Sequence, residues 1–475
     1  MNVSPELKPE DFQVPSVLLA PEYVMLREGQ VTNHAVLVKD GVFADIGLVE
    51  ELTRRYSDTK FIPLPGKVIM PGFIDVHHHL TQAFGKALAF GEPSEIFRRI
   101  WVPLEGSLDD ELIYLAGKLA AFEALRGGFT TVVDAGTRAE GGLEPLAQAV
   151  TEVGLRCVLG LICNDQSGAE TLDHSLILKR ANEHLSGWSG HPLIHPSLAI
   201  SIPEVASDKM LSTISALCKE AGVVFQTHIN EHLASVERSL VNRGLRPLEH
   251  LHTIDALGPT TLVAHATLLT PREVTILQKT DTAVCYNPVA TQWKGNATAP
   301  ATMMHELGVR FGLGTDGTRS DGFRLLDAAE ASQRLAFGLA VGDFSTGGGW
   351  PWLNHATTGG AEAISLNHVT GEIKKGLVAD FLIVDVDVPE FLPSRDLVWE
   401  LTRLGNRDQI VGVFVAGDLR LWKGWPLDWD ARALMKEVKQ RVEKAIQSAP
   451  IHKIHPSSTE YRKWNELFHL GVTTS

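Results

Sequence analysis

Between about residue 67 and residue 369, short apolar runs rich in β-branched residues alternate with helical patterns, and no other feature of the chain constrains its fold as much. The runs are VIMPGFIDV (68–76), TTVVDA (130–135), RCVLGLI (156–162), SLAISI (197–202), VVFQTH (223–228), TLVAH (261–265), TAVCY (282–286) and RFGLGTD (310–316). Near-continuous apolar strands separated by helices belong in a parallel sheet buried on both faces. A count of eight favours closure into a (β/α)8 barrel of the TIM type over an open α/β sheet. The intervening helices carry their own end signals. In SLDDELIYLAGKLAAFEALRGG, Ser107 is the expected N-cap with Asp110 three residues on, and Gly127-Gly128 is the stop. In TPREVTILQK, Thr270 is followed by Pro271 at the first helical position, and Glu273 completes a capping box.

Both flanks of this region read as β structure. Near the start, VLLAPEYVML and HAVLVKDGVFADIG hold two alternating runs around Asp40-Gly41, a strong hairpin signal. Similar text returns in ADFLIVDVD (379–387) and IVGVFVAGDLRLW (410–422), where Gly417-Asp418 marks the turn. The expected organisation is a small β-sandwich domain composed of residues 1–66 and 370–427, a barrel over 67–369, and a charged C-terminal helix with a polar tail over 428–475. The 475 residues are thus one large barrel and a small sheet stitched from both ends.

Composition removes several function classes. Lysine and arginine number 43 against 57 aspartates and glutamates, a formal charge of −14 that argues against a nucleic-acid partner. No apolar run reaches membrane-spanning length, so no membrane association is expected. The four cysteines, Cys157, Cys163, Cys218 and Cys285, form no CxxC pair, which fits a reducing cytoplasm. The first residues carry acids and prolines where a secretory leader needs a basic stretch and then an apolar one. Histidine is the unusual residue: there are 19, three of them adjacent at His77, His78 and His79.

The special residues fall at strand ends. His77 and His79 close the first run, His228 the fifth, His265 the sixth and Asp316 the eighth. In such a barrel the C-terminal strand ends form the active-site face. Side chains two apart on an extended segment point the same way, so His77 and His79 face the axis together while His78 turns away and reads as a packing or supporting residue. One histidine at a strand end is ordinarily structural. Five such residues at four strand ends offer the imidazole and carboxylate donors expected around zinc, iron or cobalt.

Several strings resemble the amidohydrolase superfamily. PGFIDVHHH (71–79) is similar to its PG-(F/L)-(I/V)-(D/N)-x-H-x-H signature, and QTHINE (226–231) to the H-x-x-E motif of its deaminase and chlorohydrolase branch. LVAHATLLTPREVTIL (262–277), NPVATQWKGNATAP (287–300) and GLGTDGTRSD (312–321) resemble its later motifs, and the likeness covers about residues 16–422. Within it the text looks closest to aminohydrolases of N-heterocycles, such as S-adenosylhomocysteine, guanine and 8-oxoguanine deaminases and s-triazine hydrolases. The resemblance departs at Tyr286, where many relatives have histidine, and at Thr291, where many have asparagine.

Carried onto this chain, the resemblance implies one divalent metal ion per subunit, zinc first and iron as the alternative, held by His77, His79, His228 and Asp316. SLAISI has no lysine to bridge a second metal. Glu231 corresponds to the family's proton shuttle; read alone, it is equally an acid at a helix start. His265 would stand beside the reacting carbon, and Asp316 would both ligate and accept a proton. Four further residues are candidates for substrate contacts. Gln82 is either a hydrogen-bond partner or an inert helix-start residue, and Trp101 an aromatic wall or a packing residue. Arg319 either grips an anion through its fork of donors or pairs with Asp321 at the surface. Ser320 would touch substrate or orient Asp316.

The expected activity is hydrolysis of a C–N bond, by deamination or dealkylamination, on a planar N-heterocycle such as a purine or s-triazine. The alternatives are hydrolysis of an acyclic amide, urea or carbamate, or of a ring C–Cl bond, and a metal-free scaffold without catalysis. The expected partner is a small-molecule substrate, and the resemblance further implies a homodimer or larger homo-oligomer.

Overall fold

In the computed structural model, which describes residues 7–89, 92, 96–167, 170–338 and 349–453, eight parallel strands pair side by side in chain order. They are β1 (Phe73–His78), β2 (Phe129–Asp134), β3 (Arg156–Ile162), β4 (Ile194–Ile200), β5 (Phe225–Ile229), β6 (Thr261–His265), β7 (Ala283–Tyr286) and β8 (Phe311–Leu313). The Asp316 amide donates to the His77 carbonyl (2.8 Å) and Asp316 bridges His78, so the last strand meets the first. The barrel is the one expected. Ile74, Val76, Val133, Val158, Leu262 and Cys285 of its strands are all buried in one apolar cluster, which also takes in Ala361 and Ile364.

The boundaries differ where a local rule was outweighed. VIMPGFIDV reads as one strand, but it breaks at Gly72: Lys60–Pro71 belongs to the small sheet and β1 starts at Phe73. The fourth strand begins at Ile194, with Pro196 paired opposite Leu159 despite its missing N–H. Helix Asp110–Arg126 is capped by Asp109, whose carboxylate accepts from the Leu112 amide (2.9 Å), and not by Ser107. The Ser107 hydroxyl is already committed to the Leu104 carbonyl (2.7 Å). At Thr270 the capping box is as expected, with the Thr270 amide donating to Glu273 (2.9 Å) and the Glu273 amide to the Thr270 hydroxyl (3.3 Å).

Strands from both ends form one nine-stranded mixed sheet. Lys60–Pro71 lies at its centre, parallel to Ser16–Leu26 on one side and antiparallel to Phe381–Asp385 on the other. The Asp40-Gly41 hairpin has both residues at positive φ (51° and 79°), the geometry that matches strand twist in a two-residue turn. The second turn falls at Ala416-Gly417 (53° and 78°), one residue before the position read from the sequence. The expected sandwich is therefore one continuous sheet. One face gathers Val24, Val36, Phe43 and Ile69 around the stacked rings of Phe381 and Phe414 (4.3 Å). The charged helix is Ala431–Ser448, capped by Asp430; the polar end beyond residue 453 lies outside the described residues. No described helix is long and apolar enough to cross a membrane.

A buried ion pair ties this sheet to the barrel. Arg156, at the start of β3, donates to both Asp380 oxygens (2.9 and 3.2 Å), and Asp380 also accepts from the Ala416 amide (2.7 Å). Both residues are nearly inaccessible to solvent. Breaking such a pair strands a buried charge, so Asp380→Ala should cost about 3–5 kcal/mol in denaturant unfolding. A loss below about 1 kcal/mol would show that water or another group compensates Arg156.

Candidate metal centre

Three strand ends of the barrel bring four of the predicted residues into one buried cluster. The ring centroids of His77 lie 4.9 Å from His79 and 4.7 Å from His228. His79 Nε2 is 3.3 Å from His228 Nε2 and 3.4 Å from Asp316 Oδ1, and His77 Nε2 is 3.9 Å from the same oxygen. His78 turns away, as strand alternation requires, and meets the Thr315 hydroxyl (2.9 Å).

The supporting residues were not singled out from sequence. Asp75 is fully buried and accepts from the Thr315 amide (2.9 Å), the Thr315 hydroxyl and the His77 amide (3.2 Å), so it locks the ends of β1 and β8 together. A Cβ at Gly314 would meet Asn287 and Cys285 at 2.4 Å and His77 at 3.0 Å; only glycine lets the chain pass here. His265 and Asp316 themselves adopt positive φ (73° and 57°), a costly backbone state for non-glycine residues that clusters at functional sites.

This donor set fits a divalent metal. His77 Nε2 is buried without any hydrogen-bond partner, an orphan that a cation would satisfy. His228 Nδ1 donates to the Ser201 carbonyl (2.7 Å), which fixes the tautomer and leaves the Nε2 lone pair facing the cluster. Burial pushes His77, His79 and His228 below the ordinary imidazole range, keeping them in the neutral, ligating form. Burial alone would raise Asp316, but Lys294, His265 and the neighbouring histidines hold it well below the usual carboxylate range.

Above the cluster, His265 Nε2 is 3.6 Å from Glu231 Oε2 and 3.8 Å from Asp316 Oδ2. Asn287 Nδ2 contacts His265 Nδ1 (3.2 Å) while its oxygen accepts from Cys285. The amide therefore donates, leaving Nε2 as the N–H that points at the two carboxylates. Burial first, then Lys294, lowers His265 to about 4, so at neutral pH it is an uncharged donor. For Glu231, burial is outweighed by His265, Lys294 and His232, which hold its pKa below the ordinary range. Lys294 was missed in the sequence. Its ammonium bonds Glu231 Oε1 and Asp316 Oδ2, each at 2.7 Å. Burial would lower its pKa, and the two carboxylates instead raise it.

A cavity opens beside these groups, with Gln82, Trp101, His79, His228, Glu231, Lys294 and Asp316 in its wall. A second arm shares Trp101, Lys294 and Asp316 and adds Trp293. Gln82 and Trp101 thus face the space a substrate would enter. Arg319 and Ser320 line neither arm. The Arg319 side chain is 43% exposed and pairs with Asp321 (2.9 Å), its surface alternative; the Ser320 hydroxyl is buried without a partner.

The sequence profile of the amidohydrolase family matches residues 68–420. The chain is 30% identical over 441 residues to the 5'-deoxyadenosine deaminase of Methanopyrus kandleri, covering 91% of this chain and 98% of that one. It is 28% identical over 387 residues to the 5-methylthioadenosine/S-adenosylhomocysteine deaminase of Syntrophobacter fumaroxidans, with 81% and 87% covered. Among solved structures, a zinc-bound adenosine deaminase from Xanthomonas campestris superposes with a TM-score of 0.82 at 23% identity, covering 90% and 98%. A zinc complex of atrazine chlorohydrolase from Arthrobacter aurescens gives 0.79 at 18%, covering 90% and 100%. At those identities the two structures speak for the fold.

Proposed function

Since the chain belongs to the amidohydrolase family, a family of metal-dependent hydrolases of C–N bonds, we propose that it deaminates a purine of the adenosine type, replacing an exocyclic amine by oxygen. The observation that carries this reading is that Glu231 and Asp316 line a cavity walled by an indole, with His265 Nε2 behind them within 3.8 Å of both carboxylates. The curated relatives named above are adenosine-type deaminases, and the cavity presents an indole and polar groups to a base.

His77, His79, His228 and Asp316 would hold the metal, which we take to be one zinc ion per chain. When bound, it supplies a Lewis acid and a water whose pKa is lowered from 15.7 to about 7. The protein's own groups then manage the protons. Glu231, ionised at rest, takes a proton from the attacking water and delivers it to the ring nitrogen beside the reacting carbon. Oxygen adds to that carbon as its double bond to nitrogen opens. Asp316 accepts the second proton, which passes to the exocyclic amine; the C–N bond breaks and ammonia leaves. His265, a neutral N–H donor, stabilises charge on the incoming oxygen. Trp101 stacks on the ring and excludes water. The sum is one water consumed and one ammonia released for each carbonyl formed.

The test is an ammonia- and amine-release screen of metal-reconstituted protein against adenosine, 5'-deoxyadenosine, s-triazines, ureas and carbamates. One ammonia per oxo-purine is expected. Release from triazines, ureas or carbamates with none from purines would overturn the substrate reading. Metal analysis should return about one equivalent per chain, as in other single-metal hydrolytic sites, and less than about a tenth would revive the non-catalytic scaffold.

A further inference from the structure

Lys294 stands where nothing in the metal-site chemistry calls for a cation. It is the last residue of the helix Pro288–Lys294, which Gly295 ends at φ 68°. A lysine there ordinarily points to solvent and answers the helix dipole. Here the side chain turns inward and is only 15% exposed. Its ammonium sits 2.7 Å from both Glu231 Oε1 and Asp316 Oδ2, carboxylates that are themselves 15% and 6% exposed. Asn296 adds a weaker amide contact to the same Glu231 oxygen (3.4 Å). The nearby Arg138 is engaged elsewhere, donating to Glu105 (2.7 Å). Among the described residues, Lys294 is thus the one permanently charged cation in contact with these two buried acids.

Two buried carboxylates side by side need a compensating charge, and Lys294 supplies it. Asp316 is also the one anionic member of the proposed metal ligands. A divalent ion arriving at Asp316 therefore meets a cation already bound there. If the ammonium stays, two cations share a weakly screened site. If it leaves, the Lys294–Asp316 pair is broken and an ammonium swings into the cavity. Either route subtracts from metal affinity, whereas in the absence of the metal the ammonium offsets the repulsion between the two acids.

We propose that Lys294 is a tethered cation that competes with the metal for Asp316: it lowers the metal affinity of the centre and holds the centre assembled when no metal is bound. This rests on the metal centre proposed above. It assigns to Lys294 a positioning role, acting through Asp316 and Glu231 on an ion it does not itself ligate.

The experiment uses the full chain, stripped with a chelator, and titrates zinc in competition with a chromophoric chelator. Lys294→Met, which keeps the length and loses the charge, should bind zinc at least about tenfold more tightly than wild type, because the competing charge is gone. Its zinc-free form should melt below zinc-free wild type, and zinc loading should close that gap. Lys294→Arg keeps the charge and should stay within about threefold of wild type. Should the methionine variant fail to fold, Lys294→Gln carries the same expectation with a donor retained for Glu231. Zinc affinity in the uncharged variants within about threefold of wild type, or weaker, overturns the role of Lys294 while leaving the metal centre standing. Wild type that binds no zinc overturns the metal centre itself, and the competition with it.

Discussion

Asp316→Asn is expected to yield a folded protein that retains almost no metal and turns over below about a thousandth of the wild-type rate. Changing a residue that merely supports a metal ligand costs about 10–100-fold, and Asp316 is the proposed anionic ligand itself. Its burden is threefold. One oxygen faces His77 and His79 at 3.9 and 3.4 Å, the other accepts the Lys294 ammonium, and in the proposed reaction the group takes a proton. Asparagine keeps an acceptor for the Gly317 amide, which Asp316 Oδ1 now meets at 2.7 Å, so the local turn survives. Its new NH₂, however, faces the Lys294 ammonium and the His265 N–H, both donors. The backbone bond that ties β8 to β1 runs through the Asp316 amide and is untouched. Metal content, turnover and thermal midpoint measured together decide the matter. Wild-type metal content with wild-type turnover would remove Asp316 from the centre.

How far this site was legible depends on whether the deciding interactions were local. The barrel strands announce themselves because both faces are covered, so each is a solid apolar run; β3 and β6 match the text residue for residue. The cluster residues were readable for a related reason. Each of His77, His79, His228, His265 and Asp316 ends or directly follows such a run, and the barrel carries all run ends to one rim. What failed was competition between neighbours with equal local claims. Ser107 and Asp109 are both good caps, and the Leu104 carbonyl decided between them. VIMPGFIDV reads as one largely apolar segment, yet the halves on either side of Pro71-Gly72 serve different sheets, a fact set by pairing partners outside the segment. Lys294 is the clearest case. Followed by glycine at a helix end, it has the local pattern of a solvent-facing lysine, while its two partners lie 63 and 22 residues distant. Arg319 shows the reverse: its partner, Asp321, is two residues on, and the simple surface pairing is what forms.

Glu231→Gln should leave metal content unchanged and lower kcat by about 10²–10⁴-fold, the usual worth of a positioned general acid–base group. Glu231 is not among the proposed ligands, so the histidines and Asp316 keep the ion. Glutamine is nearly isosteric: its carbonyl can still accept from Lys294, although its NH₂ then faces the His265 Nε2–H, a donor opposite a donor, where the carboxylate now lies at 3.6 Å. What glutamine cannot do is carry a proton from water to a ring nitrogen. Substrate binding should change little, because in the proposed complex the base rests mainly on the cavity wall, where Trp101 and Gln82 stand. The loss therefore belongs in kcat with KM nearly constant, as for an interaction made chiefly in the transition state. Steady-state ammonia release at saturating substrate, with metal content measured on the same sample, gives the answer. A fall of less than about fivefold would assign the proton transfer to another group, and His265 would be the first to examine, since it faces both carboxylates from within 3.8 Å.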